Sequence, residues 1–167
     1  MSGAAIRVAF QDHLSISGRK LLSRGRKGTA VSAASFLLDR KIILDRELLR
    51  DASELRRILI HELFHFVWRR IGNNRRAEWD HLLSEEQIAG AKGDLGWSAE
   101  WRRNELRAAD LETKSVRWRE FACETFCDTA AWFYSTRPHP EHTLQLRFRK
   151  PRRQWFRRLQ GLAPLPL

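Results

Sequence analysis

Residues 55–70 read LRRILIHELFHFVWRR, an apolar run into which two histidines and a glutamate are set. Leu55, Ile58, Leu59, Leu63, Phe66 and Val67 recur with the period of a helix. Asp51 precedes them as an N-cap, and Glu54 three residues on gives a variant of the capping box. The pattern predicts a helix over about 52–71. It stops at Gly72-Asn73-Asn74, where a left-handed C-terminal cap fits.

Upstream, the alternation of AIRVAF (5–10) predicts a strand, and GRKLLSRGRKG (18–28) a basic loop. TAVSAASFLL (29–38) and KIILD (41–45) predict two further strands with a turn at Asp39-Arg40. Downstream, 75–115 predicts a helical insert, with Ser84 capping one helix and Ser98 another over about 99–111. A long helix follows over about 116–135, ending before Pro138, because proline disfavours helical geometry in its predecessor. TLQLRFR (143–149) alternates like a strand, and the basic helix after it places Pro151 near its first turn. Trp79, Trp97, Trp101 and Trp118 are expected to pin amphipathic helices to the core. The whole predicts an α+β chain of one domain over 1–167, with a basic strand and helix at 143–167.

The 167 residues suffice for a hydrophobic core. The net charge is +11, concentrated at the two ends. Residues 1–28 carry six basic side chains against Asp12 alone, and no acid follows Glu141. Such termini attract nucleic acid or acidic protein without sequence specificity, although a charge block is also simply a solvated face. No apolar run is long enough to span a membrane, so no membrane partner is expected. Cys123 and Cys127 lie one turn apart on a helix, a poor start for a disulfide; a reduced, cytoplasmic protein is expected.

Positions i and i+4 of a helix share a face, so His61 and His65 can aim two imidazoles at one point. Two neutral imidazoles one turn apart fill two vertices of a tetrahedral zinc ion. Glu62 is turned by about 100° from His61 and is placed to take a proton from a water rather than to join them. Burying three ionisable groups in an apolar run without partners would be costly, and Zn2+ removes that conflict.

HELFH on a helix that follows a short apolar strand resembles the zincin metallopeptidases. The resemblance implies a small mixed or antiparallel sheet packed on the HExxH helix, with a second helix that bears a further ligand. Three patterns of the superfamily supply that third ligand. The metzincin extension needs Gly and His where this chain has Trp68 and Ile71, which excludes it. SprT-like proteases use a later histidine, and His81 stands at a similar spacing, although followed by Leu82. Gluzincins use ExxxDxxA, matched here by Glu124, Asp128 and Ala131. That match implies Glu124 as metal ligand and Asp128 as acceptor of the outer N–H of His61. Glu120 and the Cys127 thiolate are its rivals. The resemblance covers roughly 29–70 and 116–135, and small ImmA/IrrE-like and minimal gluzincin proteins are the most similar in pattern.

The implied activity is hydrolysis of a peptide or protein substrate by a zinc-activated water, with Glu62 as general base. Tyr134, His139 and His142 are the candidate donors to the carbonyl oxygen. Two other readings remain open: a DNA-associated SprT-like protease with His81 as ligand, and a non-catalytic zinc-containing domain that binds a polyanion or partner.

Overall fold

The computed structural model describes residues 4–18, 20–23, 28–135, 137–161 and 165–167. The described chain is α+β, with two small sheets and six α-helices. The first sheet orders β1 (Arg7–Gln11), β6 (Lys41–Asp45) and β5 (Ala33–Phe36), with β6 in the middle. β1 runs parallel to β6, and β5 antiparallel. β6 is the apolar run KIILD, and Ile42, Ile43 and Leu44 are all buried, as suits a central strand covered on both faces. β5 is left as an edge. The second sheet is antiparallel, with β2 (Ser15–Ser17) between β3 (Lys20–Leu22) and β4 (Thr29–Ala30). The predicted 18–28 loop is therefore interrupted by a strand, and its residues 19 and 24–27 lie outside the described residues. The predicted 29–38 strand divides into β4 and β5.

A 3-10 turn (Arg46–Arg50) leads from β6 into α1 (Ala52–Arg70). Asp51 caps α1 by accepting the N–H groups of Ser53 and Glu54. The Glu54 side chain does not complete a capping box; it pairs with Arg57 at 2.6 Å. Gly72 takes the expected positive φ of 82°, but α2 (Asn73–Ile88) starts directly after it. α3 (Trp97–Glu105), α4 (Ala108–Thr113), α5 (Val116–Tyr134) and α6 (Leu146–Gly161) complete the chain.

Four expectations are corrected. Ser84 lies inside α2, not at a cap, and its hydroxyl donates back to the carbonyl of Asp80. The predicted 99–111 helix is two helices, and Ser98 sits within α3 rather than capping it. Residues 143–149 form no strand: α6 starts at Leu146 and holds Pro151 in its interior. The reason is periodicity, since Phe148, Arg152, Trp155, Phe156 and Leu159 make one helical face that outweighs the short alternation before it. Finally, Trp79 and Trp118 are fully buried as expected, whereas Trp97 and Trp101 are 64% and 49% exposed.

α1 packs chiefly against α5. Their shared core holds Phe64, Val67, Phe121, Phe126 and Ala130, with Trp79 from α2 and Trp155 and Phe156 from α6. Ala130 and Ala131, both buried, let α5 approach its neighbours closely. Trp79 is satisfied inside this core by the carbonyl of Ala122 at 3.0 Å. Ile42, Leu44 and Phe66 form the core between sheet and α1. None of the described helices is long and apolar enough to cross a membrane.

Candidate metal centre

α1 and α5 bring four of the sequence-derived residues together. His61 and His65 face each other across one turn of α1, Nε2 to Nε2, at 3.2 Å. From α5, Glu124 places Oε2 3.4 Å from His61 Nε2 and Oε1 4.0 Å from His65 Nε2. Asp128, one turn beyond Glu124, sets Oδ1 2.7 Å from His61 Nδ1. That carboxylate fixes the proton on Nδ1 and leaves the Nε2 lone pair of His61 aimed at His65 and Glu124.

Lone pairs converging at such distances repel unless a cation or proton lies among them. Donors bound tetrahedrally at zinc–ligand lengths stand about 3.3–3.5 Å apart. The His61–Glu124 separation of 3.4 Å matches that figure and the His61–His65 one of 3.2 Å lies just below it, while His65 stands 4.0 Å from the other Glu124 oxygen. The donor set therefore fits a zinc ion. The electrostatics point the same way. Burial alone would push His61 down, but Asp128 and Glu124 overrule it and hold the imidazole well above its ordinary range. Burial would raise Glu124, yet both imidazoles and Arg102 hold it far below the usual carboxylate range. The pocket favours positive charge.

His65 has a second neighbourhood. Its Nδ1 lies 3.5 Å from Cys123 Sγ and 3.4 Å from Cys127 Sγ, and both cysteines are free. The Cys127 thiol and His65 stabilise the Cys123 thiolate against burial and bring it down to about 6, whereas burial pushes Cys127 well up. His61, His65 and Cys127 thus form an alternative donor set, within 4.8 Å of one another. A single ion at the two Nε2 atoms does not use the Nδ1 side of His65. The convergence of Nε2, Nε2 and Oε therefore favours Glu124 over Cys127, with sulfur behind the ring.

Glu62 is buried, and its carboxylate accepts the Ser35 hydroxyl from edge strand β5. Glu62 and His61 line a cleft of about 270 Å³ walled by Ala30, Ser32, Ala33, Arg57 and Trp97. Other expected residues lie elsewhere. His81 stands on α2 with its side chain 76% exposed, paired with Glu85 at 3.4 Å. Glu120 is exposed on the first turns of α5. Tyr134 packs against Phe64 and Phe133, His139 pairs with Glu54 at 3.5 Å, and His142 lines a separate cavity with His139. None of these three lines the cleft.

Sequence reasoning missed the supports of this centre. The Ser98 hydroxyl, expected at a cap, instead donates to Glu124 Oε2 at 2.7 Å and accepts Arg102 at 2.7 Å. Asp128 Oδ2 accepts the N–H of Ala99 at 2.9 Å, so the start of α3 holds both α5 acids. Gly96 lies so close that a Cβ there would overlap the Asp128 carboxylate. Only the glycine itself hints at such an approach in the sequence. No protein-family model, curated protein or solved structure matches the chain.

Proposed function

We propose that the chain is a zincin-like, zinc-dependent metallopeptidase with a gluzincin-type ligand set. The observation that carries this reading is the convergence of His61 Nε2, His65 Nε2 and Glu124 Oε beside the buried carboxylate of Glu62. Three protein donors leave a fourth position open, as catalytic sites require. Zinc held there would supply Lewis acidity, lowering the pKa of a water to about 7 and polarising the scissile carbonyl.

The chain's own groups supply the rest. Glu62 takes the proton of the attacking water at its carboxylate and hands it to the leaving amine. The Ser35 hydroxyl orients that carboxylate. Asp128 fixes the tautomer of His61, and Ser98 and Arg102 steady Glu124. The cleft beside edge strand β5 receives the peptide.

Zinc stoichiometry in Glu124→Ala and Cys127→Ala, with hydrolysis of a mixed peptide library under chelator control, tests the reading. Glu124→Ala is expected to lose zinc and Cys127→Ala to retain it. A wild-type protein that takes up no zinc would sink the proposal. The Cys127 thiol favours a second reading, in which His61, His65 and Cys127 hold the metal without Glu124. In that case Cys127→Ala loses zinc and Glu124→Ala retains it.

A further inference from the structure

The C-terminal helix carries Arg149, Arg153 and Arg157 at i, i+4 and i+8, one row along a single face. Opposite them, Arg137, His139 and His142 come from the segment after α5, and together they line a cavity of about 560 Å³. That volume lies within the about 300–1,000 Å³ of small-ligand sites. Trp132, Phe133, Ser135 and Pro138 complete its wall, and no carboxylate is among the lining residues.

From this we propose that the groove between α6 and residues 137–142 binds phosphate esters. Two of its arginines are aimed without being neutralised. Arg149 donates to the carbonyls of Leu144 and His142 at 2.6 and 2.5 Å, and Arg153 lies over the ring of Trp132 at 4.7 Å. No acid pairs with Arg137 or Arg157 among the described residues. His142 adds an unmet donor. Its Nδ1 accepts the N–H of His139 at 3.1 Å, which puts the ring proton on Nε2, a buried atom with no partner. Four guanidiniums with no acidic partner among the described residues exceed what one carboxylate neutralises. A phosphate ester offers several acceptor oxygens and matches the planar arginine fork. This site is separate from the metal centre and does not depend on its activity.

Phosphate esters come as free nucleotides or as the backbone of a single-stranded nucleic acid, and two probes separate these sources. Titration calorimetry with ADP and fluorescence anisotropy with a labelled oligothymidylate are run on the full chain at about 150 mM salt. Arg153→Gln/Arg157→Gln removes two cavity charges. Lys150→Gln/Arg158→Gln removes the same charge from the same helix outside the cavity. Arg137→Gln tests the opposite wall, and thermal melts check that all variants fold. The cavity pair is expected to lose about tenfold or more in affinity for whichever probe binds, Arg137→Gln to weaken it in the same direction, and the control pair to lose about twofold or less. Binding of ADP identifies a nucleotide site, and binding of the oligonucleotide alone a backbone site. Equal losses in the two pairs, or no saturable binding of either probe, overturn the proposal.

Discussion

Each acidic side chain of the centre has a distinct neighbour that sets its task. Glu62 rests on Ser35, Glu124 on Ser98, and Asp128 on His61 and the N–H of Ala99. Glu62→Gln keeps the shape of the side chain and removes its basicity. It is expected to retain zinc by elemental analysis while peptide hydrolysis falls about 10²–10⁴-fold. Gly96→Ala, distant in sequence from every expected ligand, forces Asp128 aside. Its zinc affinity, measured by competition with a chelator, is expected to drop about 10–100-fold. Unchanged affinity would show that Asp128 does not orient His61. The shared face of His61 and His65, and of Glu124 and Asp128, was legible because four-residue spacing is a local rule. Ser35, Ser98 and Gly96 were not, since each meets its acid only after the chain has folded.

At the scale of elements, the long periodic segments were the readable ones. α1 and α5 fall within a residue or two of expectation, because many apolar positions repeat in each. The short TLQLRFR alternation does not make a strand, because Leu144 and Phe148 pack with Ala91 and Leu95 from the segment between α2 and α3 and with Trp132 of α5 rather than in a sheet. The 75–115 stretch is helical as expected, but its helices begin elsewhere than at the expected caps. Gly72 and Gly96, not serines, stand before α2 and α3, and Ser98 is held by Glu124 instead. α3 therefore positions the centre rather than simply lengthening the chain. Replacing Ser98 by Ala removes one hydrogen bond to Glu124 and one from Arg102, which keeps its bond to the Ser98 carbonyl at 3.0 Å. We expect weaker zinc binding with little change in melting temperature, checked by the same competition assay and a thermal melt.

Across the molecule, four charged side chains are buried together where α2, α3 and α6 meet the segment before α3. Arg152 is fully buried and bonds Glu86 at 2.8 and 2.6 Å and Asp94 at 2.6 Å. Arg103 reaches the same two acids at 3.2 and 3.0 Å. Nothing in the local sequence of these residues announced a cluster, since each reads alone as a surface charge. Arg152→Met breaks it and is expected to destabilise the fold by about 3–5 kcal/mol in urea unfolding, because two acids then share Arg103. Burial would raise Asp94, but Arg152 and Arg103 hold its carboxyl below the ordinary range. With the folded value lowered, this stabilisation is complete above about pH 4, the unfolded value, and is lost as pH falls toward the folded one. The urea midpoint should decline over that window; a flat midpoint there would contradict the pairing.

The same quartet governs where the chain can be cut. A truncated form ending before Leu146 would strip away Arg152 and leave Glu86 and Asp94 sharing one guanidinium inside an opened aromatic core. The basic C-terminal helix is thus part of the folding unit, and a shortened version is expected to be recovered insoluble.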